Sequence, residues 1–129
     1  MNLTQVPISM IDTVAGDAGK VLTSDGSTLS WSSNRIAKAW VNFNGSTSVI
    51  RSSYNVSSVT KGGTGQYSVN FTSAMSDTNY CVVKTDSLRN VGEINNISSS
   101  STFSLVTRNV DGPTTPTDVT TCHCIVFGN

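Results

Sequence analysis

Charge is scarce in this chain. Of 129 residues, eight are Lys or Arg and eight are Asp or Glu, so the formal net charge is zero. A balanced surface gives no electrostatic reason to seek nucleic acid or an anionic membrane. Glu93 is the single glutamate, and Lys is sparse. Helix surfaces draw on Glu, Lys, Ala and Leu, so extended helices are not expected. No run approaches the ~20 apolar residues of a membrane span, and no membrane insertion is expected. The first residues lack a basic start followed by an apolar run, so no signal peptide is expected. Three cysteines cannot all pair within one chain, which suits reduced, small apolar side chains made in a cytoplasm. With one histidine, set in a strand-like run, a Ser-His-Asp arrangement has little to be built from.

In place of charge there are Ser, Thr, Asn, Val and Gly, the residues of strands, turns and hydroxyl-rich flat surfaces. Residues 1–15 read as an extended arm. Residues 16–31 read as a β-hairpin turning at Asp25-Gly26, a pair that favours a type I′ turn. A lone two-stranded hairpin is marginal in water, so it must pack on the main domain, a partner or copies of itself. Ser32-Ser33-Asn34 is a polar break. Residues 1–33 therefore read as an arm and hairpin for attachment or self-association, and residues 34–129 as the main domain.

In that domain Ala37, Ala39, Val41 and Phe43 share one strand face and Lys38, Trp40 and Asn42 the other. Asn44-Gly45 is a turn. Residues 49–60 read as one long strand, bent or bulged, because Val56 and Val59 fall on opposite parities. Lys61 to Gln66 is too Gly-rich for a ladder and reads as a hairpin loop. Tyr67, Val69 and Phe71 alternate with Ser68 and Asn70. Further strands are expected at 80–84, 91–97, 102–107 and 119–127, with loops at 75–79 and, because of its prolines, at 111–116. About seven short strands at roughly 8–12-residue spacing predict an all-β, small antiparallel β-sandwich.

The chemistry on offer is thin. Cys122-His123-Cys124 resembles a metal cluster, but strand alternation sends His123 to the face opposite the two thiols. Core cysteines beside a packed or rim histidine are the plainer reading. Three chains meeting on an axis would allow three copies of His123 to share one metal. Asp77, Asp86, Asp111 and Asp118 are isolated and sit in turn-like sequence, where Asp bonds backbone amides. Gly62-Gly63-Thr64-Gly65 lacks the Lys-Ser/Thr ending and following helix of a phosphate loop. No catalytic residue, cofactor or metal is expected.

Trp40 lies opposite an apolar Ala/Val/Phe face. Either Trp40 is turned out against a neighbouring subunit, or it is in the core and the small Ala face meets a partner. In both cases one strand carries apolar groups on two faces, which calls for more cover than one sandwich provides. Trp40, Ala37 and Ala39, with Leu22 and Trp31 of the hairpin, are the candidate oligomer interface. Ligand contacts are expected on loops 85–100 and 109–118. Arg89, Asn90, Asn95, Asn96, Arg108, Asn109 and Asp111 there offer amides and guanidinium groups suited to sugar hydroxyls and carboxylates.

The blocks Ala37–Gly45, with Ala39-Trp40-Val41-Asn42-Phe43-Asn44-Gly45, Ile50–Thr60, with Tyr54-Asn55-Val56-Ser57-Ser58, Tyr67–Phe71 and Met75–Val83 resemble a module recurrent in bacteriophage tail-fibre proteins. Gly19-Lys20-Val21-Leu22-Thr23-Ser24-Asp25-Gly26 with Trp31 is similar to a short segment repeated in phage fibres. The resemblance implies a virion structural protein, a homotrimer, that mediates host attachment through a surface glycan or protein. It implies assembly in the host cytoplasm, a place on the phage tail, and docking on other tail or baseplate proteins through residues 1–33. The long repetitive shaft of large fibres is absent here, which points to a short fibre or fibre tip. The alternatives are a baseplate or head adaptor without receptor binding, and a carbohydrate-binding module.

Overall fold

The computed structural model describes residues 20–32, 36–87, 90–97, 99–109 and 115–128. It divides the chain into two compact units, Met1–Arg35 and Ile36–Asn129. The expected arm, the break at Ser33-Asn34, Arg89 and Asp111 lie outside the described residues.

In the first unit β1 (Val21–Ser24) pairs antiparallel with β2 (Leu29–Ser32). The expected hairpin forms, but its turn is not type I′. Ser24 pairs with Leu29, the bend centres on Gly26-Ser27, and only Gly26 takes positive φ, at 96°. The Asp25 carboxylate explains the shift. Its Oδ1 accepts from the Ser27 and Thr28 amides at 2.8 and 2.7 Å, so the side chain closes the turn.

The second unit is an all-β sandwich of two four-stranded antiparallel sheets. Its strands are β3 (Ala39–Phe43), β4 (Ile50–Tyr54), β5 (Val56–Gly63), β6 (Gln66–Phe71), β7 (Cys81–Asp86), β8 (Asn90–Asn96), β9 (Thr102–Asn109) and β10 (Cys122–Phe127). The first sheet runs β4-β3-β10-β7 and the second β5-β6-β9-β8. Edge strand β4 continues into edge strand β5. The long strand expected over 49–60 is thus two strands in two sheets, divided at Asn55. Asn55 takes φ 54°, a left-handed conformation that Asn tolerates. Its side chain holds the corner: Nδ2 donates to Lys38 O and Ser73 O, and Oδ1 accepts from Ser73 N.

One core fills the space between the sheets. Ala39, Val41, Phe43, Cys122, Cys124 and Val126 come from the first sheet, and Val59, Tyr67, Val69, Phe71, Phe103 and Leu105 from the second. Phe43 meets Tyr67 edge-on at 5.3 Å, and Phe71 meets Tyr80 at 5.6 Å. Burying each such side chain contributes about 1.5–3 kcal/mol.

Three expectations need correction. Lys61–Gly63 and Gln66 belong to the β5–β6 ladder, and the turn is only Thr64-Gly65. Glycine suits the turn because Gly65 takes φ 65°, and a Cβ there would lie 2.5 Å from the Thr107 carbonyl oxygen. Residues 90–96 form strand β8, which agrees with the strand expected at 91–97 and corrects the recognition loop drawn over 85–100. Asp86 is no turn aspartate: it sits on the inward face of β7, paired with Lys84 at 2.5 Å.

Candidate functional site

Strand alternation gives each sheet an inner and an outer face, and the first sheet's outer face is unusual. Trp40 is opposite Tyr54 on β4 and Ile125 on β10, and Ile125 is opposite Val83 on β7. Four apolar or aromatic side chains thus form one cross-strand row over the full width of the sheet. In the next row Phe127 faces Cys81. All six are exposed. The row beyond Trp40 is polar: Ser52, Asn42, His123 and Thr85 are register partners across the sheet. Arg51 closes that end, donating to Asn42 Oδ1, Thr121 Oγ1 and Thr120 O. Between the two rows lies a depression of about 330 Å³, lined by Ala37, Trp40, Asn42, Ser52, His123 and Ile125 among others.

Of the two placements open to Trp40, the structure takes the outward one. Ala37 borders the depression beside it. Ala39 does not join them. It is fully buried and opposite Val126 in the core, so it has no side-chain surface to offer a partner. Leu22 is exposed and Trp31 half-buried on the hairpin. Tyr54, Ile125, Val83 and Phe127 were not expected in the site. The signal was present: β10 carries Ile125 and Phe127 on one parity and Cys122, Cys124 and Val126 on the other, as β3 does around Trp40.

The second sheet's outer face is polar apart from Val106, which lies opposite Gln66 and Glu93. Ser58 is opposite Asn70 and Asn70 opposite Thr102, while Thr60, Ser68, Ser104 and Asn96 make the next row. Asn70 Nδ2 donates to Ser58 Oγ and Thr60 Oγ1, and Ser68 and Ser104 share a hydrogen bond of 3.3 Å. Asn95 and Asn96 are exposed on edge strand β8. Arg108 forms an ion pair with Glu93 across the β8–β9 ladder at 3.0 Å. Asn109 ends β9, its amide donating to Thr115 O. Asn90 opens β8. The candidate recognition residues that can be described therefore lie on the paired strands β8 and β9 and not on a shared loop.

A third group joins the β5–β6 turn to the segment before β10. Asp118 accepts from the Gly65 amide at 2.8 Å, the Tyr67 hydroxyl at 3.0 Å and the Lys61 ammonium at 2.5 Å. The Lys61 hydrogen bond, then that from Gly65, holds the Asp118 carboxyl below its ordinary range. Burial, then the Asp118 carboxylate, pushes the Tyr67 hydroxyl up to about 12. Each polar atom is used to hold another, which suits a clasp better than a reacting centre. A wider cleft of about 650 Å³ lies beside the Asn55 corner, with Lys38, Tyr54, Thr72 and Ser73 in its walls.

Cys122 and Cys124 lie side by side in the core, and His123 points the other way. The hydrogen bond with Cys122, then burial, holds the Cys124 thiol far above its ordinary range, so it stays neutral and a poor nucleophile. No group of three or more potential metal ligands occurs among the described residues. No protein-family model, no curated protein and no solved structure matches this chain.

Proposed function

We propose that this chain is a non-catalytic structural protein of a bacteriophage virion, a homotrimeric short tail fibre or fibre tip that attaches the particle to a host surface glycan or protein. The carrying observation is the Tyr54–Trp40–Ile125–Val83 row, an apolar band on the outside of a finished sandwich. Such a face marks an interaction surface, as an assembled subunit requires. The resemblance of residues 37–83 to fibre modules supplies the virion setting and the number three. Residues 1–33 are the docking segment toward other tail or baseplate proteins, and the exposed amides of Asn95 and Asn96 belong to the recognition surface. The test uses particles of the phage that encodes the chain. Antibody to the purified protein should decorate tails, and the protein should compete for adsorption sites on host cells. Decoration without competition would instead favour the baseplate or head adaptor.

One observation favours a carbohydrate-binding module. Tyr54 stands beside Trp40 and also walls the polar cleft at the Asn55 corner. Exposed aromatic faces beside hydroxyl and amide groups suit a sugar ring. Calorimetric titration with soluble host glycans separates the readings. Binding by the wild type that is lost in Tyr54→Ala, with oligomeric state unchanged, supports the module.

A further inference from the structure

We propose that the outer face of the first sheet is turned toward the same face of the other copies of this chain in the trimer. The inference rests on reading the chain as an assembling subunit, and names the surface that assembles. Tyr54, Trp40, Ile125, Val83 and Phe127 are 55, 38, 42, 55 and 43% exposed. Together they present roughly 400–500 Å² of adjoining side-chain surface, as large as the main patch on an ordinary monomer. A standard interface takes about 800 Å² from each partner, with an apolar centre and a polar rim. The apolar rows supply such a centre, and Ser52, Asn42, His123 and Thr85 supply one side of such a rim.

Two features select a second copy over a different partner. The face is self-complementary in shape, since projecting aromatics stand beside a depression of about 330 Å³ that has room for one aromatic side chain. Its two apolar rows also hold no charged side chain. The acid and base of β7, Asp86 and Lys84, point inward and pair with each other, and Arg51, still cationic on its neutral partners, stands at the polar end. The apolar rows of two copies can therefore meet without burying a charge, with the Arg51 cation left at the rim.

The test measures the mass of the full chain by light scattering across a dilution series. It compares the wild type with Trp40→Glu/Ile125→Glu and with Thr60→Glu/Gln66→Glu, a control pair on the second sheet. Circular dichroism and the unreactivity of buried Cys122 and Cys124 verify folding. The expected result is an oligomeric wild type, an unchanged control, and a face variant whose association is weakened at least 100-fold. Val83→Ser/Phe127→Ser serves if the glutamates prevent folding. A face variant that keeps the wild-type mass overturns the proposal and leaves the subunit reading standing. A monomeric wild type with reactive Cys81 overturns both. A monomer with Cys81 shielded shows the face covered by its own chain, and overturns the proposal.

Discussion

The two sheets share a core, but their outer faces are written in different side chains. Across the first run Tyr54, Trp40, Ile125 and Val83. Across the second run Thr60, Ser68, Ser104 and Asn96. Strand alternation makes an inner and an outer face in both cases, so folding the sandwich does not require the difference. Hydroxyls and amides are at home in water. Branched and aromatic groups are not, and their concentration on one sheet is what the proposed subunit contact would cover. Strand β7 goes further: Val83 points out, while Lys84 and Asp86 point in. From Val83 to Asp86 the charged pair is inside and an apolar group outside, although Val82 points in and Thr85 out.

The largest effect should come from breaking that charged pair. Lys84→Ala leaves a buried carboxylate without its cation and should cost about 3–5 kcal/mol in denaturant unfolding. Replacing both partners, Lys84→Met with Asp86→Leu, should restore most of that. A single mutant as stable as the wild type would show the pair to be solvated.

Gly65→Ala comes next. It combines a left-handed backbone with backbone atoms of Thr107 and Thr117 at 2.5 Å from the new Cβ. A loss of about 2–3 kcal/mol should appear as a lowered melting temperature.

Asp118→Asn should cost about 1–2 kcal/mol near neutral pH, because the Lys61 ammonium loses its carboxylate. The pH profile sharpens this. The folded Asp118 carboxyl lies below its ordinary value, so its contribution is full above the unfolded pKa of about 4 and is lost as pH falls through the folded one. The wild type should therefore lose its advantage over Asp118→Asn on acidification. Tyr67 works from the alkaline side: its contribution is present below its unfolded pKa of about 10 and disappears as pH rises toward about 12.

The smallest effect is expected from Thr60→Glu on the wet face, within about 0.5 kcal/mol and with no change in mass. An equally silent Trp40→Glu, in mass and in stability, would erase the contrast between the faces.

Much of this fold was legible in period-2 alternation. Tyr67, Val69 and Phe71 announced a strand with one buried face, and Trp40 announced apolar cover on two sides. What was not legible depended on contacts distant in sequence. The corner at Asn55 looked like a bulge, because a change of sheet and a local kink produce the same shift of parity. Asp86 looked like a turn residue, because its partner is two positions away on an inward face that only the β10 register defines. The β5–β6 turn looked like a long Gly-rich loop, because its order comes from Asp118 and Thr107, far along the chain. The apolar row was the hardest to see, since its members come from four strands that adjoin only in the folded sheet.

The central claim, that this row is a subunit interface, is met most directly by the native thiol within it. Cys81 is exposed in the single chain, whereas Cys122 and Cys124 are buried. The rate at which a bulky maleimide labels Cys81 should be measured as the full-length protein is diluted. The account predicts slow labelling at high concentration that quickens as the oligomer dissociates, with Cys122 and Cys124 silent throughout. Rapid labelling of Cys81 that is independent of concentration, in a sample shown to be oligomeric, would contradict it.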